Sequence, residues 1–282
     1  MKRSVWGMAI AIIVFVPAVL PAAEPVDVLR KDNLVAWCIV PFDATQRGPV
    51  ERAKMLKELG LTRCAYDWRA DHVPTFEQEI KAYQKQGIEF FAFWSVHDEA
   101  FRLFEQYDLH PQIWQTLRDP GEGSQPEKVE KAAQGLLPLA KRTAELHCKL
   151  GLYNHGGWGG KPENLVAVCQ RLHELEQDHV GIVYNFHHGH EQINDWKSSF
   201  EVLQPWLLCL NLNGMNPGAD PKILGIGKGQ HEFEMIRVVV EAGYDGPIGI
   251  LDHRSELDAR ESLQENLEGL EQVRTKLAAS ND

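Results

Sequence analysis

The sequence predicts a single α/β domain folded as a closed (β/α)8 barrel. Three observations predict it: eight short apolar or β-branched runs, amphipathic stretches alternating with them, and a body of about 260 residues once an N-terminal leader is set aside. Strands that alternate with helices pair in parallel, and eight such repeats in one domain-sized body close on themselves. Of the 282 residues 44% are apolar and glycine follows no short period, which excludes a disordered or collagen-like chain. The 40 acidic residues outnumber the 29 basic ones, and no basic stripe is visible, so no nucleic-acid partner is expected.

The chain opens with Met1, Lys2 and Arg3, an apolar run over 6–20, and the small-residue close Pro21-Ala22-Ala23. That layout predicts a cleaved signal peptide over 1–23 ahead of a barrel domain at 24–282. Pro17 breaks the run, which is shorter than the roughly 20 residues of a spanning helix. The expected product is exported, periplasmic or secreted, with no stable membrane insertion after cleavage.

Within the domain the first strand is expected at 34–40 and its helix at 50–59, opened by Pro49 and closed by Gly60, with Met55, Leu56 and Leu59 on one face. A strand at 62–66 and a helix at 76–86, closed by Gly87, come next. The third strand spans 89–95. The fourth, 112–116, is the weakest; were it loop, an incomplete barrel or a doubly wound sheet would remain. Pro126 precedes a helix at 127–146 and a strand at 149–154; Pro162 opens a helix at 162–176 before the strand at 180–185. The last strands are 207–212 and 247–251, with helices at 232–242, closed by Gly243, and 257–277, where Leu263, Leu267 and Leu270 recur. Residues 278–282 read as a frayed tail. Cys38, Cys64, Cys148, Cys169 and Cys209 are too dispersed for a zinc knuckle or a disulfide scaffold, although export would permit a pairing.

In such a barrel the site forms at the carboxyl ends of the strands. The segments just past those ends are Phe42-Asp43, Asp67-Trp68-Arg69, Trp94-Ser95-Val96-His97-Asp98, Tyr153-Asn154-His155-Gly156-Gly157-Trp158, Asn185-Phe186-His187-His188-Gly189-His190, Asn211-Leu212-Asn213-Gly214 and Asp252-His253-Arg254. Any one of these is ordinary turn or cap chemistry. Their convergence is not: His155, His187, His188, His190 and His253 all fall just past three late strands. Histidine moves protons near neutral pH and binds metals, asparagine holds hydroxyls and carbonyls without charge, and Trp94 and Trp158 offer flat faces to a sugar ring. Gly156-Gly157-Trp158-Gly159-Gly160 lacks the Lys-Ser/Thr close of a P-loop, and Gly225-x-Gly227-x-Gly229 is weak as a dinucleotide motif.

The stretch from Gly227 through Gln230-His231-Glu232, the segment Ala242-Gly-Tyr-Asp-Gly-Pro-Ile-Gly-Ile-Leu251, Asn154-His155-Gly156-Gly157 and Asn185-x-x-His188 resemble the xylose-isomerase-like TIM barrel family, the sugar-phosphate isomerase/epimerase group. The Asn-Phe-His-His-Gly-His run looks like that of an exported bacterial branch. The resemblance implies a sugar isomerase, epimerase or lyase. Metal-dependent members hold a divalent ion with Glu, Asp, His, His and Glu after strands five to eight. Here those places fall on Tyr153 or Asn154, Asn185, Asn211 or Asn213, and Leu251 or Asp252, and only His188 carries over. Hard ions want carboxylates, so a family-type metal is not expected; a softer divalent site of His155, His188 and Asp252 or His253 could form.

The resulting expectation is an enzyme on a small carbohydrate. His155 and His188 would serve as acid and base, and Asp252 or His253 would orient them or exchange protons. Asp67, Trp94, Asn154, Trp158, Asn185, His187, Asn211 and Asn213 would hold the substrate. Local cations such as Lys228 and Arg254 would be needed for a phosphate. The alternatives are a non-catalytic sugar-binding barrel and a glycoside hydrolase using Asp67 or Asp43 with Asp252.

Overall fold

The computed structural model describes residues 27–280. The segment expected as a signal peptide, 1–23, lies outside the described residues. Eight parallel strands close in sequence order, β1 Leu34–Trp37, β2 Arg63–Asp67, β3 Glu89–Trp94, β4 Gln112–Thr116, β5 Leu150–Tyr153, β6 Val180–Asn185, β7 Leu207–Leu212 and β8 Ile248–Leu251. The helices are α1 Pro49–Leu59, α2 Phe76–Gln86, α3 Asp98–Gln106, α4 Gln125–Glu145, a single turn α5 Gly157–Gly160, α6 Pro162–Glu174, α7 Trp196–Leu203, α8 Glu232–Glu241 and α9 Ala259–Ser280. None of the described helices is long and apolar enough to cross a membrane.

The fourth strand is real, pairing with β3 and β5, so the open-sheet alternative falls away. The first ends earlier than expected, at Trp37, because Cys38 turns the backbone into the left-handed region at φ 60°. Residues 278–280, expected to be frayed, continue α9. Pro49 and Pro162 begin their helices, where a missing N–H costs nothing, and Gly60 and Gly87 close theirs with left-handed backbone.

Two apolar layers result. The inner one fills the barrel with Val35, Trp37, Phe91, Trp114, Tyr153, Val183 and Leu251, Trp37 meeting Trp114 edge-on at 4.8 Å between centroids. Room for such side chains comes from residues without them: a Cβ at Gly249 would stand 1.6 Å from Asn211 Oδ1 on the neighbouring strand. The outer layer packs the strands against the helices. Between α1 and α2 it includes the buried Arg52–Glu79 ion pair, 2.6 Å apart.

The seam between first and last strands runs Leu34↔Ile248 to Trp37↔Leu251. Past the sheet it continues through Asp252 N donating to Trp37 O (3.0 Å) and His253 N to Cys38 O (3.3 Å). Below it, the Asn33 amide donates to Val28 O and Gly246 O, 2.8 Å each, and Arg274 of α9 pairs with Asp27.

Candidate active site

At the carboxyl end of the strands a cleft opens in two lobes that share His155 and His188. The aromatic lobe, about 170 Å³, is walled by Trp37, Phe42, Trp94 and Tyr153 and also lined by Cys38, Asp67, Arg69 and His253. The second lobe, about 440 Å³, is lined by Gly156, His187, His190, Glu191, Gly218, Ala219 and Lys222. Cys38 and His253 reach the first lobe because each leaves its strand through left-handed backbone, φ 60° and 54°. Strained non-glycine residues of this sort gather where a site fixes its geometry.

The structure thus brings the five histidines around one cleft. Four of the rings form a continuous series: His155 to His188 at 4.2 Å, His188 to His187 at 4.1 Å and His187 to His253 at 4.8 Å between centroids. Burial lowers all of their pKa values, and the neighbouring imidazoles, with Lys222 and Arg69, push the same way. His187 falls to about 2, His188 to about 3 and His253 to about 4; His155 and His190 are lowered too. At neutral pH these rings are uncharged.

Asp67 behaves oppositely. It ends β2 almost fully buried, and burial raises its carboxyl to about 6 although Arg69 opposes the shift. Oδ1 accepts from Val40 N at 3.4 Å, while Oδ2 has no partner. Two indole donors of the same lobe, Trp37 Nε1 and Trp94 Nε1, are also buried without a partner. Arg69 lies over Phe42 and Trp94, 5.4 and 5.6 Å from the ring centroids.

Other residues expected to touch substrate do something else. Asn154 and Asn185 stitch β5 to β6. Asn154 Oδ1 accepts from Asn185 N (2.7 Å), and its amide donates to Asn185 O (3.0 Å). The Asn185 amide donates to the Tyr153 hydroxyl (2.6 Å), and its Oδ1 accepts from His187 N (3.1 Å). These carboxamides hold the residues that face the cleft. Asn211 and Asn213 are wholly buried, the latter donating to Gly214 O at 2.8 Å. Trp158 turns toward α4, its Nε1 donating to Gln125 Oε1 at 3.0 Å beneath Lys128.

Asp252, expected to be catalytic, sits behind the cleft. It is fully buried, its Oδ1 accepts from the Ser262 hydroxyl, and burial raises its carboxyl to about 8. It is therefore protonated at neutral pH. The basic residues considered for a phosphate are committed elsewhere, since Lys228 and Arg254 both pair with Glu265.

A family-type metal does not fit. Among the described residues no three His, Cys, Asp or Glu side chains are grouped to hold an ion. The ligand places carry a tyrosine bonded to Asn185, neutral amides at Asn154, Asn185, Asn211 and Asn213 where carboxylates would be needed, and Leu251. The softer set is not assembled among the described residues: Asp252 is turned onto Ser262, and His155, His188 and His253, though they line one lobe, do not group to hold an ion.

The Gly225-x-Gly227-x-Gly229 segment is packing rather than phosphate binding. A Cβ at Gly225 would lie 1.9 Å from Glu265 Oε1, and one at Gly269 of α9 1.8 Å from Ile226 O. The five cysteines are buried and free. A larger depression of about 660 Å³ beside α1 is lined by Asp43, Arg47 and Arg52, whose charges are already paired, Asp43 with Arg47 and Arg52 with Glu79.

Reading the strand ends gave no assigned role to Trp37, Cys38, Phe42, Arg69, Tyr153, His190 and Lys222. Phe42, Arg69, Tyr153 and His190 stood in segments whose position after a strand was the available signal. Trp37 and Cys38 fell inside an apolar run, and Lys222 carries no mark in the sequence.

No protein-family model matches the chain, and no curated relative does. Solved structures do match. One is 3-keto-D-glucoside 4-epimerase from E. coli, 15% identical over 87% of this chain and 100% of that one, TM-score 0.63. A probable 3-DHS dehydratase involved in petrobactin synthesis from Bacillus anthracis is 14% identical over 84% and 98%, TM-score 0.65. A xylose isomerase domain protein from Planctomyces limnophilus is 12% identical over 88% and 98%, TM-score 0.63. At such identities the likeness shows the fold, a xylose-isomerase-like (β/α)8 barrel.

Proposed function

We propose that this xylose-isomerase-like barrel is an exported carbohydrate enzyme, an isomerase, epimerase or lyase that moves a proton at the carbon beside the carbonyl of a sugar or keto-sugar. One observation carries the reading: a small aromatic lobe that encloses a single carboxyl group near pKa 6, with a free oxygen, among indole donors and neutral imidazoles. The fold's occurrence in an epimerase and a dehydratase supports it. Export rests on the sequence of residues 1–23.

The pKa values redistribute the roles that the sequence suggested. An imidazole at about 3 is a poor base at neutral pH, whereas an acid at about 6 is ionised in roughly nine molecules of ten yet still basic enough to take a proton. Asp67 then removes the proton, and the electron pair of the broken C–H bond moves onto the carbonyl oxygen. The uncharged ring of His188 or His155 donates a hydrogen bond to that oxygen. A neutral imidazole does this without giving up its proton, as in another barrel enzyme where a helix N-terminus keeps the histidine uncharged. For isomerisation a proton also passes from the neighbouring hydroxyl oxygen to the carbonyl oxygen, and Asp67 returns its own proton to the former carbonyl carbon. Epimerisation needs delivery from the opposite face, and a lyase expels a group from the next carbon instead. Trp37 and Trp94 supply donors to hydroxyls and flat walls to the ring.

A glycosidase needs two carboxyl groups across the cleft. Asp67 is the only one lining the aromatic lobe among the described residues; Asp43 is held by Arg47, and Asp252 lies behind. The test is solvent exchange: incubate the chain in D2O with aldoses, ketoses and 3-keto-sugars and follow deuterium into carbon by NMR. Exchange that Asp67→Asn abolishes while sugar binding persists supports the proposal. Tight binding with no exchange across the panel overturns it in favour of a sugar-binding barrel.

A further inference from the structure

The two lobes differ in size and chemistry, and the proton-transfer proposal uses only one. The aromatic lobe, about 170 Å³, is smaller than the roughly 300–1,000 Å³ of pockets that enclose drug-sized ligands, and suits a single sugar ring. The second lobe, about 440 Å³, continues from it past His155 and His188. Gly218 and Ala219, which line it, add almost no side chain. His187 and His190, on its wall, each carry a buried ring nitrogen without a protein partner. Lys222 and Glu191 stand exposed on its rim, one of each sign.

We infer that the second lobe is a subsite for another sugar ring, so that the substrate is a glycoside of at least two rings whose linking bond lies beside His155 and His188. Neutral imidazole nitrogens match the donors and acceptors of sugar hydroxyls. A mixed-sign rim suits a neutral polyol better than a dianion, because Glu191 would face any phosphate placed against Lys222. The inference rests on the carbohydrate reading of the first lobe but not on its chemistry.

The experiment is calorimetric titration of the chain with glucose, glucose 6-phosphate, maltose, cellobiose and trehalose, and with the 3-keto forms of glucose and the disaccharides. The wild type is expected to bind at least one disaccharide about tenfold tighter than the matching monosaccharide, equivalent to about 1.4 kcal/mol. Ala219→Phe, which adds a ring to the lining of the lobe, brings that ratio close to one. Should that variant not fold, Lys222→Trp fills the lobe from its exposed rim and is read in the same way. Equal affinity for one ring and two, a gain that survives the filled lobe, no measurable disaccharide binding, or tightest binding by the sugar phosphate each overturns the subsite. A gain that the filled lobe removes, in a protein that exchanges no deuterium, upholds the subsite and refutes the proton-transfer reading alone.

Discussion

Replacing His187 by phenylalanine tests the electrostatics of the cleft with one titratable group. His187 is 3% exposed between the rings of His188 and His253, and burial holds its folded pKa at about 2 against an ordinary 6.5. A group with a depressed folded pKa contributes stability that is complete above the unfolded value and is lost as pH falls toward the folded one. The window therefore runs from 6.5 down to about 2. Between about pH 7.5 and about pH 5 the unfolded chain binds a proton that the folded chain refuses. Over the last ~1.5 pH units, at about 1.36 kcal/mol per unit, this costs the native state ~2 kcal/mol. His187→Phe removes that cost while keeping a flat ring. Urea unfolding of both proteins at the two pH values should show the wild type losing ~2 kcal/mol more than the variant on acidification. Equal losses would mean that His187 takes up its proton in the folded protein, and the account of buried, uncharged histidines would fail.

Asp67 gives the opposite pH signature in activity: exchange should rise through about pH 6 as its carboxyl ionises, and a flat profile across pH 5 to 7 would remove it as the base. Arg52→Met strands the buried Glu79 carboxylate and should lower stability by about 3–5 kcal/mol, with most of the loss recovered in Arg52→Met/Glu79→Leu; chemical denaturation reads both. Gly249→Ala drives a methyl into Asn211 and should cost about 1–3 kcal/mol in the same assay, whereas a neutral effect would contradict the tight interior.

The barrel was legible because its outer layer imposes apolar runs on strands and three- to four-residue spacing on helices. β4 was the faint element for a reason visible in the interior. Gln112 donates to Leu208 O across the barrel (3.2 Å) and accepts from Trp114 Nε1 (2.9 Å), so a polar residue satisfied inside weakens the apolar signal of its strand. The site was legible as an address more than as a mechanism. Position after a strand located Asp67, Trp94, His155, His188 and His253, which line the aromatic lobe. It could not separate them from Asn154, Asn185 and Asp252, which stand at equivalent places but turn their side chains onto Asn185, Tyr153 and Ser262 respectively. That distinction lies in side-chain partners brought together by the closed sheet. The opposite pKa shifts of Asp67 and the histidines were equally hidden, because burial sets them.

The tie beneath the β1–β8 seam has a practical reach. Asp27 is bound to α9 through Arg274, and Asn33 fastens the adjoining turn to Gly246, all at the end of the barrel where the strands begin. The cleft opens at the other end. A purification handle or surface linker joined to the chain just ahead of Asp27 therefore attaches on the side away from the cleft, and protein immobilised through it presents the cleft to the flowing solution.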